Sequence, residues 1–152
     1  MPAPLRIALG SDPAGSAYRR CLAADLTANR LVGEVITLGG DTPQPYPLVA
    51  FAGAQLVASG AADRALLVCH TGAGMAIAAN KVRGVRAATC RTAYEVAHAV
   101  TYNNAQVLCL GQGLMPLGQA LLLTRFWLTQ HFDPASRAAE KVALITASEQ
   151  HP

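Results

Sequence analysis

Ala65-Leu-Leu-Val-Cys-His-Thr-Gly-Ala-Gly-Met-Ala-Ile-Ala-Ala-Asn-Lys81 is the stretch that decides the fold. Ala65 to Cys69 is a short, unbroken apolar run, the pattern of a strand buried on both faces. Thr71 to Gly74 supplies small turn residues, and a helical stretch follows from about Gly74 to Lys81. A strand that hands over to a helix through small residues gathers backbone N–H groups around a concave space that can hold an anion. Cys69, the last strand residue, stands at its rim.

Outward from this stretch, the same strand-then-helix unit repeats. Toward the N-terminus, Leu5 to Gly10 is followed by a helical stretch from Ser16 to Asn29, and Glu34 to Leu38 by one from near Leu48 to Gly60. Pro43, Pro45 and Pro47 stiffen the loop between these two. Toward the C-terminus, Val85 to Thr89 precedes a helix over Thr92–Thr101, and Ala105 to Leu110 precedes one from Pro116 to about Gln130. A last helix begins after Asp133-Pro134 and reaches Glu149. Apolar strands that alternate with helices predict a doubly wound α/β domain, a layer of about five parallel strands between two helical layers. In such sheets ligands bind beyond the carboxyl ends of the strands. This selects the loops Ser11 to Gly15, Gly39 to Pro47, Cys69 to Met75 and Gly111 to Pro116, with Arg91. Tyr102-Asn-Asn104 sits at the opposite end and reaches a site only as part of a neighbouring subunit.

The 152 residues fit one domain, long enough to bury about two thirds of its unfolded surface. With 52% hydrophobic and 14% charged residues, more apolar surface must be hidden than a monomer's exterior carries, so a homo-oligomer is expected. The net charge is +3, but the basic residues are scattered, which speaks against nucleic-acid binding. The start, Met1-Pro-Ala-Pro-Leu-Arg-Ile7, has no signal-peptide pattern, and no apolar run approaches the roughly 20 residues of a membrane span. A cytoplasmic protein without membrane contact is the expectation. Cys21, Cys90 and Cys109 read as reduced, mostly buried thiols. No zinc-type spacing occurs, and His70 points to the opposite strand face from Cys69, so no metal site is expected.

Gly72-Ala-Gly74 is a weak dinucleotide signal, because Ile77 stands where a further glycine or alanine belongs. No Walker lysine occurs either. What remains is a thiol, the Thr71 hydroxyl and a fan of backbone donors. These are parts of two reactions: Cys69 as a nucleophile that needs a histidine base, or Cys69 as a base moving a proton beside a carbonyl while the fan holds the enediolate. The plain structural alternative is a buried strand-end cysteine beside a tight turn. For the nucleophile, His98 is the available mid-chain histidine, and its helix position facing the sheet favours a packed or surface histidine.

The chain resembles the family of ribose-5-phosphate isomerase type B and the galactose-6-phosphate isomerase subunits. The likeness runs through Ile7-Ala-Leu-Gly-Ser-Asp12, Tyr46-Pro47, Cys69-His-Thr-Gly-Ala-Gly74, Ile77-Ala-Ala-Asn-Lys81, Gly84-Val-Arg-Ala87, Asn103-Asn-Ala-Gln-Val107 and Leu110-Gly111. The resemblance implies a Rossmann-like three-layer sandwich that interconverts aldose and ketose sugar phosphates through a cis-enediol, without metal or organic cofactor. It also implies a homodimer, with a tetramer as the further option, whose sites lie at the subunit interface beside the last helix, about residues 135–149. Family members use either a cysteine or a glutamate in the turn as base; Met75 occupies the alternative position, so this chain is similar to the cysteine type. By the same resemblance Thr71 positions substrate, Gly72 and Gly74 lend their amides, and Asp12 and Tyr46 contact the sugar. Asn103 is supplied across the interface, and Arg137 with Lys141 binds phosphate.

Four positions depart from the family pattern. Pro13 replaces a histidine, Tyr102 replaces the ring-opening histidine, Gly113 replaces an arginine, and Lys141 replaces the second phosphate-binding arginine, keeping charge but losing the bidentate fork. A phenol with pKa near 10 is a poorer proton shuttle than an imidazole. The expectation is therefore an isomerase not optimised for ribose 5-phosphate. A four-carbon substrate such as erythrulose 4-phosphate fits, because its ketose cannot close a furanose. The alternative is a degenerate member that binds a sugar phosphate or pairs with an active paralogue.

Overall fold

The computed structural model describes residues 2–39 and 42–150. Residues 40–41 of the Gly39 to Pro47 loop, and the ends of the expected single domain, lie outside the described residues. The strands are β1 (Leu5–Ser11), β2 (Val32–Thr37), β3 (Arg64–Cys69), β4 (Ala87–Thr89) and β5 (Val107–Gly111). The helices are α1 (Ser16–Ala28), α2 (Tyr46–Ala58), α3 (Ala73–Ala79), α4 (Ala93–Thr101), α5 (Leu117–Leu128) and α6 (Ala138–Ser148). Among the described residues the sheet has five strands in the order β2-β1-β3-β5-β4, every pair parallel. This is the expected doubly wound α/β layer.

Boundaries shift where side chains take over backbone hydrogen bonds. β4 begins at Ala87 rather than Val85, because the Arg86 N–H donates to Gln106 Oε1 and the Ala87 N–H to Asn80 Oδ1, both at 2.8 Å. α2 begins at Tyr46, with Pro47 in its first turn, where the missing N–H costs nothing. α4 opens on a capping box between Thr92 and Glu95. An unforeseen 3-10 turn, Pro13–Gly15, joins β1 to α1; Asp12 caps it by accepting from the Gly15 N–H at 2.8 Å.

Strand alternation divides the core into two faces. Ile7, Leu9, Leu66, Val68, Leu108 and Leu110 meet α1, α4 and α5 through Leu22, Leu26, Val100, Leu123 and Trp127. Ala8, Ala65, Leu67, Cys69, Val107 and Cys109 meet α2 and α3 through Val49, Ala50, Ala54, Met75 and Ala79. The second face is the smaller-residued one, so α2 and α3 approach closely: a Cβ on Gly53 would lie 3.2 Å from Leu67 Cδ2. Arg64, nearly buried, ties the start of β3 to the end of α5 by donating to the carbonyls of Trp127, at 2.7 Å, and Gln130. Its cation thereby sits against the negative end of the α5 dipole.

Two expectations about side chains fail. Cys21 is exposed on α1 rather than buried, because the buried stripe of that helix is Leu22 and Leu26. His98 does not face the sheet, and of the packed and surface positions it takes the surface one: it is exposed and stacked between Tyr94 and Tyr102, with ring centroids at 5.5 and 4.2 Å. No helix among the described residues is long and apolar enough to cross a membrane. Ile77, Tyr94, Leu122, Leu144 and Ile145 are large apolar side chains left exposed on α3, α4, α5 and α6.

Candidate active site

The chain leaves β1 in one direction to form β2 and returns past β1 to form β3. The crevice between the carboxyl ends of β1 and β3 is therefore a topological switch point. Asp12 leaves β1 there and Cys69 ends β3. The Asp12 N–H donates to the Val68 carbonyl at 3.1 Å, which fixes the two exits side by side. By alternation from Ala8 and Gly10, Asp12 faces the α2/α3 side, as Cys69 does.

The turn after Cys69 depends on three glycines. Gly72 has φ of +85°, the left-handed region, and a Cβ there would also lie 2.9 Å from Thr89 Cγ2. A Cβ on Gly74 would fall 2.6 Å from Tyr46 Cε2, so the Tyr46 ring lies against bare backbone. A Cβ on Gly111 would fall 2.6 Å from the Thr71 carbonyl carbon, so β5 leaves the sheet flush against the turn. Thr89 Oγ1 donates to the Gly72 carbonyl at 3.0 Å and pins the turn from β4.

Within this frame the Gly72 N–H donates to Cys69 Sγ at 3.2 Å. The Ala73 N–H donates to Thr71 Oγ1 at 3.3 Å. The N–H groups of Gly74 and Met75, next in the first turn of α3, have no acceptor among the described residues. They are the donors left over for a ligand oxygen. Cys69 is distinct among the four thiols in having an N–H aimed at sulfur, and hydrogen bonds to an ionised acceptor are the stronger kind. Burial pushes the Cys90 thiol up to about 11, and burial with its neighbouring cysteines pushes the Cys109 thiol well above its ordinary value.

The structure thus brings Asp12, Tyr46, Cys69, Thr71, Gly72 and Gly74 to one edge. It does not bring Tyr102 or Asn103 there. Both are exposed at the opposite edge, in the α4–β5 connection, and Asn103 lines a cavity with Asn80, Arg86, Ile145 and Ser148. Arg137 and Lys141 are exposed at the start of α6 with no hydrogen bond or ion pair among the described residues. Sequence reasoning missed Thr89, which braces the turn, and Gln112. The Gln112 Nε2 reaches Asp12 Oδ1 at 3.5 Å, and its Oε1 is buried without a partner. Gln112 lies in the shortlisted loop after Gly111, but only the fold sets it beside Asp12. His70 lays its ring over Gly113, filling the space a side chain there would need. Among the described residues no group of three or more His, Cys, Asp or Glu could hold a metal ion.

A parallel α/β sheet with a thiol, a hydroxyl and open amides at its switch point defines a class of proteins that can handle a small polar or anionic metabolite there. The chain belongs to the Ribose/Galactose Isomerase family, whose model matches residues 7–145. It is 49% identical over 148 residues to D-erythrulose-4-phosphate isomerase 2 of Mycolicibacterium smegmatis, covering 95% of this chain and 97% of that one. It is 33% identical over 150 residues to D-erythrulose-4-phosphate isomerase of Pectobacterium atrosepticum, covering 97% and 99%. Among solved structures, ribose-5-phosphate isomerase B of Clostridium thermocellum superposes with a TM-score of 0.89 at 36% identity, covering 96% of this chain and 98% of that one. The relatives are sugar-phosphate isomerases, and this chain is an isomerase of that kind.

Proposed function

We propose that the chain interconverts an aldose and a ketose of a short sugar phosphate through a cis-enediol(ate), with a four-carbon ketose phosphate as the preferred substrate. The observation that carries the chemistry is Cys69 Sγ, 3.2 Å from the Gly72 N–H, beside the open amides of Gly74 and Met75. The Cys69 thiolate takes the proton from the carbon next to the carbonyl. The C–H electron pair forms the enediolate double bond, and the carbonyl pair moves onto oxygen, where the open amides stabilise the charge. A proton then passes between the two oxygens, and the Cys69 thiol returns its proton to the neighbouring carbon. Thr71, Tyr46 and Asp12 hold the hydroxyls, and no metal or cofactor enters this path.

A second copy completes the site in this reading, lending Tyr102, Asn103, Arg137 and Lys141, with α6 at the interface. The exposed apolar side chains of α3, α4 and α6 and the position of Asn103 at the far edge support it. Tyr102 in place of an imidazole supports an open-chain substrate, and so does the likeness to two proteins named for erythrulose 4-phosphate. The test compares kcat/KM for D-erythrulose 4-phosphate and ribose 5-phosphate. The four-carbon substrate is expected to win, and Tyr102→His to raise ribose 5-phosphate turnover by up to about 100-fold, the lower end of what a general acid supplies. A preference for ribose 5-phosphate in the wild type overturns the substrate assignment. The second reading, a binding-only member, rests on Pro13, Gly113 and Tyr102; it predicts thermal stabilisation by sugar phosphates with no turnover of any.

A further inference from the structure

We infer that Gln112 is a positioning residue: its backbone anchors the turn after Cys69 while its side-chain amide aims the Asp12 carboxylate into the crevice. One residue then sets the spacing between the thiol and the group that holds a substrate hydroxyl. This rests on the sugar-phosphate reading above, in which Cys69 moves the proton and Asp12 contacts the sugar.

β5 leaves the sheet at Gly111, opposite Cys69. The next two residues prolong that pairing beyond the strand ends: the Gln112 N–H donates to the Cys69 carbonyl and the Gly113 N–H to the His70 carbonyl, both at 2.9 Å. A Cβ on Gly113 would fall 2.3 Å from His70 Cε1, so the imidazole covers bare backbone there, as the Thr71 carbonyl does at Gly111. Gln112 therefore carries the one side chain of a segment clamped on both sides. In step with Leu110 it emerges on the α1 side of the sheet, whereas Cys69 and Asp12 face α2 and α3.

β3 lies between β5 and β1, so this side chain crosses the end of β3 to reach Asp12, over two inter-strand spacings or about 10 Å of backbone separation. There its Nε2 meets Asp12 Oδ1 at 3.5 Å, and the Gly15 N–H donates to the same oxygen at 2.8 Å. Both donors converge on Oδ1, and Oδ2 accepts no hydrogen bond among the described residues, which leaves it to a ligand. A Cβ on Gly15 would fall 2.3 Å from Gln112 Oε1, so the amide packs against the bare turn, with Oε1 buried and unpartnered. A buried amide oxygen without a donor is unfavourable, and turning the amide over would set it against the carboxylate oxygen instead. The amide is held where its own oxygen goes unsatisfied, and its one contact is Asp12. Hydrogen bonds that are long without substrate commonly shorten in the complex.

The test is steady-state kinetics with D-erythrulose 4-phosphate, with melting curves, on wild type, Gln112→Met, Gln112→Asn, Asp12→Ser and the double variant Gln112→Met/Asp12→Ser. Methionine keeps the length and bulk of glutamine without its amide, and serine can still cap the Gly15 N–H. Gln112→Met should lower kcat/KM about tenfold or more, the worth of one hydrogen bond to a charged group, while its melting temperature stays at or above the wild-type value because the orphaned oxygen is gone. Gln112→Asn, one methylene short of a contact already at 3.5 Å, should lose a similar factor. In the double variant the Gln112→Met loss should disappear into that of Asp12→Ser, because no carboxylate is left to aim. Three results overturn the inference while the isomerase reading stands: wild-type kcat/KM in Gln112→Met, a loss that multiplies in full with that of Asp12→Ser, or a loss accompanied by a fall in melting temperature. If the wild type turns over no sugar phosphate, the isomerase reading fails, and calorimetry with D-erythrulose 4-phosphate decides the role of Gln112. A Kd weakened in Gln112→Met then upholds the inference, and an unchanged Kd or no binding overturns it.

Discussion

The two edges of the sheet hold their polar groups in different ways. At the carboxyl edge, Cys69 is fixed by backbone: its sulfur faces the Gly72 N–H, Thr89 braces that turn, and Gly111 lies against Thr71. At the amino edge, Tyr102 and Asn103 are exposed side chains with no partner among the described residues to order them beyond the stack on His98. The first arrangement is complete within one chain. The second makes sense as surface presented to another copy. In the proposed function, proton transfer therefore depends on backbone geometry, and recognition of the substrate's tail depends on assembly.

The largest effect that would break this contrast comes from Gly111→Ala. Its Cβ would sit 2.6 Å from the Thr71 carbonyl carbon, and backbone cannot yield there without moving the turn. A shift approaching 1 Å costs about 100-fold in rate, so kcat should fall by that order and the melting temperature should drop. Wild-type kcat in this variant would mean that the turn need not be so tightly held.

A complementation experiment tests the other edge. Cys69→Ala and Asn103→Ala should each be inactive alone. Refolded together in equal amounts, a symmetric dimer forms hybrids with one intact site of two, and about a quarter of wild-type activity should return. If none returns, Asn103 does not act across an interface.

The smallest effect separates Cys69 from a thiol that lacks its donor. Burial holds the Cys90 thiol at about 11 against an ordinary 9.0. As pH rises, the unfolded chain releases that proton first, so ionisation favours the unfolded state. Stability is then lost between about pH 9 and 11, by at most about 3 kcal/mol, two units at roughly 1.4 kcal/mol each. Cys109 acts in the same direction. Denaturant titrations at pH 8 and 10.5 should show a shallower loss in Cys90→Ala than in wild type, and equal slopes would remove Cys90 from the account.

Much of the carboxyl edge is legible in the sequence, because strand periodicity and turn glycines are local signals. Ala65 to Cys69 followed by Gly72 and Gly74 specifies strand, turn and helix without any distant contact. The switch-point rule then selects the loops that hold Asp12 and Tyr46, far apart in the chain, and the family resemblance singles out these two residues within them. What escapes is what depends on tertiary placement. Gln112 and Thr89 gain their roles only when β5 and β4 are laid beside β3. Cys21 misleads because a cysteine scores as apolar while its helix buries Leu22 and Leu26 instead. His98 misleads because its place on α4 is decided by stacking with Tyr94 and Tyr102 rather than by contact with the sheet.

The most direct measurement is solvent deuterium exchange into the carbon beside the carbonyl of D-erythrulose 4-phosphate, in wild type and in Cys69→Ala. The wild type should incorporate deuterium during turnover. Cys69→Ala, with its melting temperature near the wild-type value, should lose at least about 100-fold of the exchange rate, the lower end of what a general base supplies. Exchange at the wild-type rate in Cys69→Ala would contradict the account and move the base elsewhere.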